Sequence, residues 1–436
     1  MSLITTLSKP VYASIQDSLT DNTLGSPLTV SSQNERIVFT LCAILGGIIL
    51  NSATDFLTIL LGLELQSYSV YILAASYRNY EPSEAAGLKY FLLGALSSAL
   101  VFMGLAILYA YSGSTNLDTA FLMISSGASL PGINELDISN FTTLSSNPMS
   151  ASLYQQGDVI LPYAGITLIL AGVSWKVAAA PVQAWSIDVY DAVPTRTTAI
   201  LSLLPKIALF SLLIRLISLI TSNTNDNIDG IAFLHNDNVG QVAEVAIGLQ
   251  IVILVVALSL IIGAVAGLFQ PRIKRLLAYS SVLNVGFIIM GALLSNSTLD
   301  SYNPTLYIIQ YIITTAAIWL CLINLANVYG TLNSNSAFSE VTLISQLQGI
   351  HTNPSKGIQG ASDPQSVTYG KSTTIIAVCL TALVLSTAGI PPMVGFYAKY
   401  SVILLALQSG YTSLALIAVL ASIISTVYYL GVIRAI

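Results

Sequence analysis

Six ionisable side chains, Glu64, Lys89, Lys176, Lys206, Lys274 and Lys399, lie in or at the edge of long apolar runs. Glu64 sits near the middle of FLTILLGLELQSYSVYILAA, residues 56–75. A carboxylate at such a depth in a membrane costs roughly 2.5–3.5 kcal/mol on insertion scales. Lys176 lies five residues before Pro181, Lys206 directly follows Pro205 in LSLLPKIALFSLL, and Lys399 lies seven residues after Pro392. A lysine taken out of water loses part of its preference for the charged form, and a nearby carboxylate restores it. Held near that balance, it takes up and releases a proton as its partner moves, so a line of such groups makes a proton relay. Glu64 reads as the one carboxylate deep in a crossing, hence as the natural partner of these lysines. For Lys89, near a span start in EAAGLKYFLLGALSS, a structural ion pair explains the charge equally well. Lys274, in PRIKRLLAYSSVLNVGF, fits an anchor at the membrane surface, or reaches inward and joins the line.

The elements that must position these groups are membrane helices. Of 436 residues, 54% are hydrophobic and only 8% charged, with mean hydropathy +0.78. A soluble domain carries about 25% charged residues, so this chain cannot cover a water-facing surface. Cys42, Cys321 and Cys379 all lie in apolar runs, and no CxxC or Cys/His cluster occurs. No metal, haem or iron–sulfur site is therefore expected, and the thiols read as small buried hydrophobes. The first 36 residues are polar, without the apolar core of a signal peptide.

A crossing needs about 20 apolar residues. Ten segments read as crossings, the first of them short: 37–51, 54–76, 84–111, 158–191, 195–220, 242–269, 274–295, 303–330, 372–408 and 411–436. Polar loops fill 112–157, 221–241 and 331–371. Ten crossings define two sides, and ten of the fifteen Lys and Arg residues fall on one of them. Connections on the other side carry no Lys or Arg but seven acids, among them Asp118, Asp226 and Asp300. This segregation supports the count and puts the basic side in the cytoplasm or matrix.

Segments 158–191 and 372–408 are too long for one straight crossing, and each is interrupted, by SWKVAAAPVQAW and by STAGIPPMVGFYAKY. Proline removes a backbone donor and clashes with the preceding turn. Each interruption falls in the fourth crossing of a set of five. Because five is odd, the two sets run in opposite senses, the signature of inverted repeats whose broken helices expose backbone groups at mid-membrane. The expected fold is thus an all-α polytopic membrane protein of two inverted five-helix repeats. Residues 1–36 form a polar tail, 37–220 the first repeat, 221–241 a connecting loop and 242–436 the second repeat, with its own loop at 331–371.

The stretches LGLELQSYSVYILAASYR, EAAGLKYFLLGALSSALVFMGLAILYAYSGSTNL, WKVAAAPVQAWSIDVYDAVPT, IKRLLAYSSVLNVGF and GIPPMVGFYAKY resemble, in order, one family. It is the chain 2 family of the proton-pumping NADH:ubiquinone oxidoreductase, respiratory complex I, called subunit N in bacteria. The resemblance implies an antiporter-like fold and places the family's glutamate on Glu64. It places the broken-helix lysine on Lys176, the following-helix lysine on Lys206 and the second broken helix's lysine on Lys399, with Lys89 and Lys274 at further basic positions. The family's histidines are replaced by Gln183 and Asn284 here, so neither position titrates. The usual family member has up to fourteen helices; there is no room for the first three before residue 37 and the last is lacking, so either the gene is short or the sequence is a fragment.

The resemblance further implies a complex-level enzyme whose NADH, FMN, iron–sulfur clusters and ubiquinone sit on partner subunits, with no cofactor on this chain. Expected partners are other membrane-arm subunits and membrane lipids, cardiolipin among them, and no nucleic acid. The expected location is the mitochondrial inner membrane, with a bacterial plasma membrane as the alternative. Three other functions compete. A sodium/proton antiporter or membrane-bound hydrogenase subunit shares the fold, although ELQSYSVY and VYDAVPT favour the respiratory family. A structural scaffold without pumping predicts that loss of Glu64 or Lys206 disturbs assembly alone. A solute carrier calls for more clustered aromatic and polar groups beside the breaks.

Overall fold

A bilayer offers no water to backbone N–H and C=O groups, so a chain this apolar must close its hydrogen bonds within helices. The computed structural model describes residues 30–77, 81–126, 148–222, 239–295, 302–332, 343–347, 365–391 and 393–436. The described residues contain no strand, only isolated bridges between Asp55 and Asn116 and between Arg272 and Leu343. The first helices are α1 (Val30–Ser52), α2 (Phe56–Ala75), α3 (Glu81–Ser112), α4 (Leu117–Ser126), α5 (Pro148–Val177), α6 (Ala184–Ala192) and α7 (Thr195–Ser222). After them come α8 (Val239–Gly267), α9 (Ile273–Leu294), α10 (Tyr302–Leu332), α11 (Gln365–Ala388), α12 (Val394–Gln408) and α13 (Thr412–Ala435). Among the described residues, eight helices are long and apolar enough to cross a membrane. The pairs α5/α6 and α11/α12 are the two broken crossings, and with them the crossings number ten.

Helix α9 is the pillar of the bundle: 89% of its apolar window is buried. It touches α6, α7, α8, α10, α12 and α13, so it joins the two sets of crossings. Lipid supplies no hydrophobic drive between helices, and close packing of small residues does more of the work. The α3–α5 seam shows this: a Cβ on Gly104 would lie 2.6 Å from the Gly165 carbonyl oxygen.

The membrane edges group as the charge segregation requires. On the basic side, the Arg36 Nη1 donates to the Tyr77 hydroxyl at 2.7 Å, and the Arg272–Leu343 bridge lies there too. On the other side, Arg215 approaches Asp118 at 3.7 Å beside the Asp55–Asn116 bridge. Lys9, Arg78, Lys356, Asp226 and Asp300 lie outside the described residues.

Both breaks are built on the same turn. At the end of α5, the Ala178 N–H donates to the Trp175 carbonyl and the Ala179 N–H to the Ser174 carbonyl. At the end of α11, the Gly389 N–H donates to the Ser386 carbonyl and the Ile390 N–H to the Leu385 carbonyl. These paired bonds are the Schellman motif, which places one residue in the left-handed region. That residue is Gly389 at φ +80° in the second break and Ala178 at φ +67° in the first. An L-residue there costs about 1–2 kcal/mol, so the first break carries strain that the second avoids.

Candidate functional site

Lys176 occupies the last turn of α5, just before the strained Ala178. Its Nζ donates to the Ser67 Oγ at 2.7 Å. Ser67 lies on α2 three residues after Glu64, and Glu64 is close enough to interact with the lysine through its field. No ion pair within 4.0 Å joins the two. Glu64 itself is half-buried. A cavity lined by Gln66, Ser67, Tyr71, Trp175, Lys176 and Pro205 runs from this lysine to the residue preceding Lys206. It is large enough for about one water molecule.

Lys206, Lys274 and Lys399 are 3%, 2% and 6% exposed. Pro205 sits inside α7 and leaves the Leu201 carbonyl without its usual helical donor. One turn further, the Gln66 side chain donates to the Leu204 carbonyl at 3.2 Å. Lys206 Nζ donates to the Tyr311 hydroxyl of α10 at 3.2 Å. It lies 5.7 Å from the ring centroids of both Tyr190 and Tyr311, which gives the cation two aromatic faces.

Lys399 follows the second break and turns back to the helix that ended there. Its Nζ donates to the Thr387 carbonyl at 2.8 Å and the Ala388 carbonyl at 3.0 Å. Those are among the last carbonyls of α11, which have no intrahelical donor and carry the negative end of the helix dipole. The Phe287 ring of α9 lies 5.7 Å from the same nitrogen. The Tyr307 hydroxyl donates to the Asn284 Oδ1 at 2.8 Å, and Phe287 stacks on Tyr307. The Ser280 and Tyr429 hydroxyls share a hydrogen bond nearby on α9 and α13.

The remaining two cations differ. Lys274 reaches inward, and its Nζ donates to the Val193 carbonyl at 2.9 Å, the cap of α6. Lys89 is exposed and pairs with Asp188 of α6. The structure thus puts Lys176 on a cavity that reaches Pro205, beside Lys206, buries Lys399 on the end of α11, puts Lys274 at the end of a half-helix, and leaves Lys89 at the rim.

Sequence reasoning missed Asp188 and Asp191. Asp191 is 8% exposed on its side chain and accepts from Arg272 Nη1 at 2.6 Å and Arg275 Nε at 2.8 Å. It is a further carboxylate in a crossing, its side chain covered at the membrane edge, and the spacing in SIDVYDAVPT was its signal. Also missed were Tyr190, Tyr307 and Tyr311, although the four-residue spacing in YIIQY puts two of them on one helix face. The cysteines are corrected: Cys42 and Cys321 are half-exposed and Cys379 is exposed on its helix. In a membrane both the outer and the inner face of a helix are apolar, so an apolar neighbourhood does not imply burial.

The model of the family described as NADH:quinone oxidoreductase/Mrp antiporter, TM, matches residues 53–235, 239–347 and 368–425. NADH-ubiquinone oxidoreductase chain 2 of Rhizopus oryzae is 33% identical over 427 residues, covering 96% of this chain and 68% of that protein. NADH-quinone oxidoreductase subunit N of Paramagnetospirillum magneticum is 30% identical over 401 residues, covering 92% and 67%. Among solved structures, respiratory complex I from Thermus thermophilus with bound aureothin aligns at TM-score 0.63 and 25% identity, covering 92% of this chain and 70% of the matched one.

Proposed function

The chain belongs to the NADH:quinone oxidoreductase/Mrp antiporter transmembrane family, and from that premise we propose that Glu64, Lys176, Lys206 and Lys399 form the proton route. It is a multi-pass, antiporter-like, proton-translocating membrane subunit of the complex I type. Its partners are other membrane-arm subunits. NADH, FMN, the iron–sulfur clusters and ubiquinone belong to partner subunits, and this chain contributes proton movement alone. The membrane is the mitochondrial inner membrane, and its lipids, cardiolipin included, surround the chain.

In this reading Glu64 and Lys176 are the coupled pair, Lys206 the central relay and Lys399 the terminal group. The observation that carries it is the burial of Lys206 with no carboxylate beside it among the described residues: its hydrogen-bond partner is a neutral phenol. An unpaired buried charge is costly, and a lysine at such a site is readily emptied of its proton. Lys274 holds the end of α6, and Lys89 with Asp188 ties α3 to the same half-helix. Both are structural supports of the line.

The test is proton pumping per electron pair by Lys206→Ala in the complete complex, with assembly and NADH oxidation followed alongside. Lost pumping with normal assembly is the expected result. Normal pumping at normal assembly would remove Lys206 from the route, and a failure confined to assembly would move the scaffold reading to the front.

A further inference from the structure

We propose that Asp191 is a positioning residue for Lys206: clamped by the two arginines that open α9, it holds the half-helix α6 so that Tyr190 keeps its ring face on the lysine. The proposal rests on the relay reading above and deepens it, because it ties the first break to the pillar that reaches into the second set of crossings.

Three observations carry it. The first is the clamp itself. Arg272 Nη1 and Arg275 Nε both donate to the Asp191 Oδ2, at 2.6 and 2.8 Å, and the Asp191 side chain is covered. Between the arginines in sequence, the buried Lys274 donates to the Val193 carbonyl that caps α6.

The second is the placement of charge. An acid in the last turn of a helix opposes the dipole of that helix, and so does a base in the first turn. Asp191 lies in the last turn of α6, Arg272 directly precedes α9 and Arg275 lies in its first turn. Each charge is unfavourable for its own helix and favourable across the contact. The preference of basic residues for the inner side accounts for the arginines and leaves the covered acid unexplained.

The third is what α6 carries. Its break end is fixed by Trp185, whose Nε1 donates to the Trp175 carbonyl at 3.1 Å and whose ring stacks on Tyr90 of α3. Near its other end, Tyr190 is buried beside Asp191 in the chain, with its ring centroid 5.7 Å from the Lys206 Nζ. A helix of nine residues rolls as one piece. With the clamp open, a roll turns the Tyr190 ring off Lys206 and removes one of the two aromatic faces that favour the charged lysine. No bond forms or breaks at Asp191; it acts through the position of that ring.

The test is the rate of proton-coupled NADH oxidation per assembled complex, in the complete complex reconstituted in sealed vesicles. Asp191→Asn removes the charge and keeps the shape, and its rate should fall roughly threefold or more, the scale of one desolvated cation–π contact. Tyr190→Leu should fall by a similar factor. The double variant should be no slower than Tyr190→Leu alone, because the carboxylate acts through the ring, whereas independent effects multiply. A multiplied loss, or a parent-like rate in either single variant, overturns the role of Asp191, and pumping lost in Lys206→Ala then still upholds the lysine route. Parent-like pumping by Lys206→Ala overturns the route and this inference with it. If Asp191→Asn does not assemble, Arg275→Gln, which leaves Arg272 on the carboxylate, takes its place in the same cycle and is read in the same way.

Discussion

Lys176 precedes its break and hydrogen-bonds a side chain of a different helix, whereas Lys399 follows its break and hydrogen-bonds the backbone of the helix that ended there. Both breaks share one turn type, so the difference lies in what holds the cation. Ser67 on α2 moves with α2, and with it moves Glu64. Any displacement of α2 against α5 therefore changes both the hydrogen bond and the field at Lys176. The Thr387 and Ala388 carbonyls are fixed by the fold of α11 itself, and no acid is needed to compensate the charge. The first break is built to respond to a partner, the second to keep its lysine in one place. The left-handed residue adds to the contrast, strained Ala178 at the first break and relaxed Gly389 at the second.

The contrast breaks most visibly if the second lysine proves replaceable. Lys399→Met leaves two buried carbonyls without a donor, which costs about 1–3 kcal/mol for each unsatisfied group. Pumping should be lost and the thermal inactivation midpoint of the complex lowered; a variant that pumps at the parent rate would dismiss Lys399 as terminal group. Gly389→Ala comes next. Its Cβ would lie 2.8 Å from the Lys399 Cδ in a backbone of φ +80°, so about 1–2 kcal/mol of strain comes with a displaced lysine. Slower pumping together with lower stability is expected, and an unchanged rate would mean that the lysine need not sit on those carbonyls.

The same exchange in reverse sharpens the comparison. Ala178→Gly relieves the left-handed strain and should stabilise the complex by up to about 1 kcal/mol, read as a higher inactivation midpoint. A lower midpoint would show that Ala178 is not strained there. The smallest effect belongs to the rim. Lys89→Met removes an ion pair whose side chains are each 44% exposed, worth ~0–1 kcal/mol. Pumping should stay near the parent level, and a large loss would bring Lys89 into the route.

The helices and both breaks were legible in the sequence because the bilayer leaves apolar runs and prolines little freedom of interpretation. Lys176, Lys206 and Lys399 were legible because a charge inside such a run is an anomaly. Their partners were not. Whether Lys206 meets an acid or the Tyr311 phenol depends on how α7 and α10 are rotated, and periodicity carries little of that when every face is apolar. Glu64 was expected as the partner of these lysines; that Ser67 would take the Lys176 hydrogen bond was not legible. Asp191 was hidden because it ends a broken crossing, where a carboxylate looks like part of the surface. The cysteines misled for the same reason: Cys379 in its apolar run faces outward.

The central claim is that the first break works through the Glu64 carboxylate. Its most direct test is the number of protons pumped per electron pair in reconstituted vesicles, comparing Glu64→Gln with the parent complex while membrane leak, assembly and NADH oxidation are monitored. The account predicts lost pumping at normal assembly and unchanged leak. Unchanged pumping would contradict it and reduce Glu64 to a structural charge.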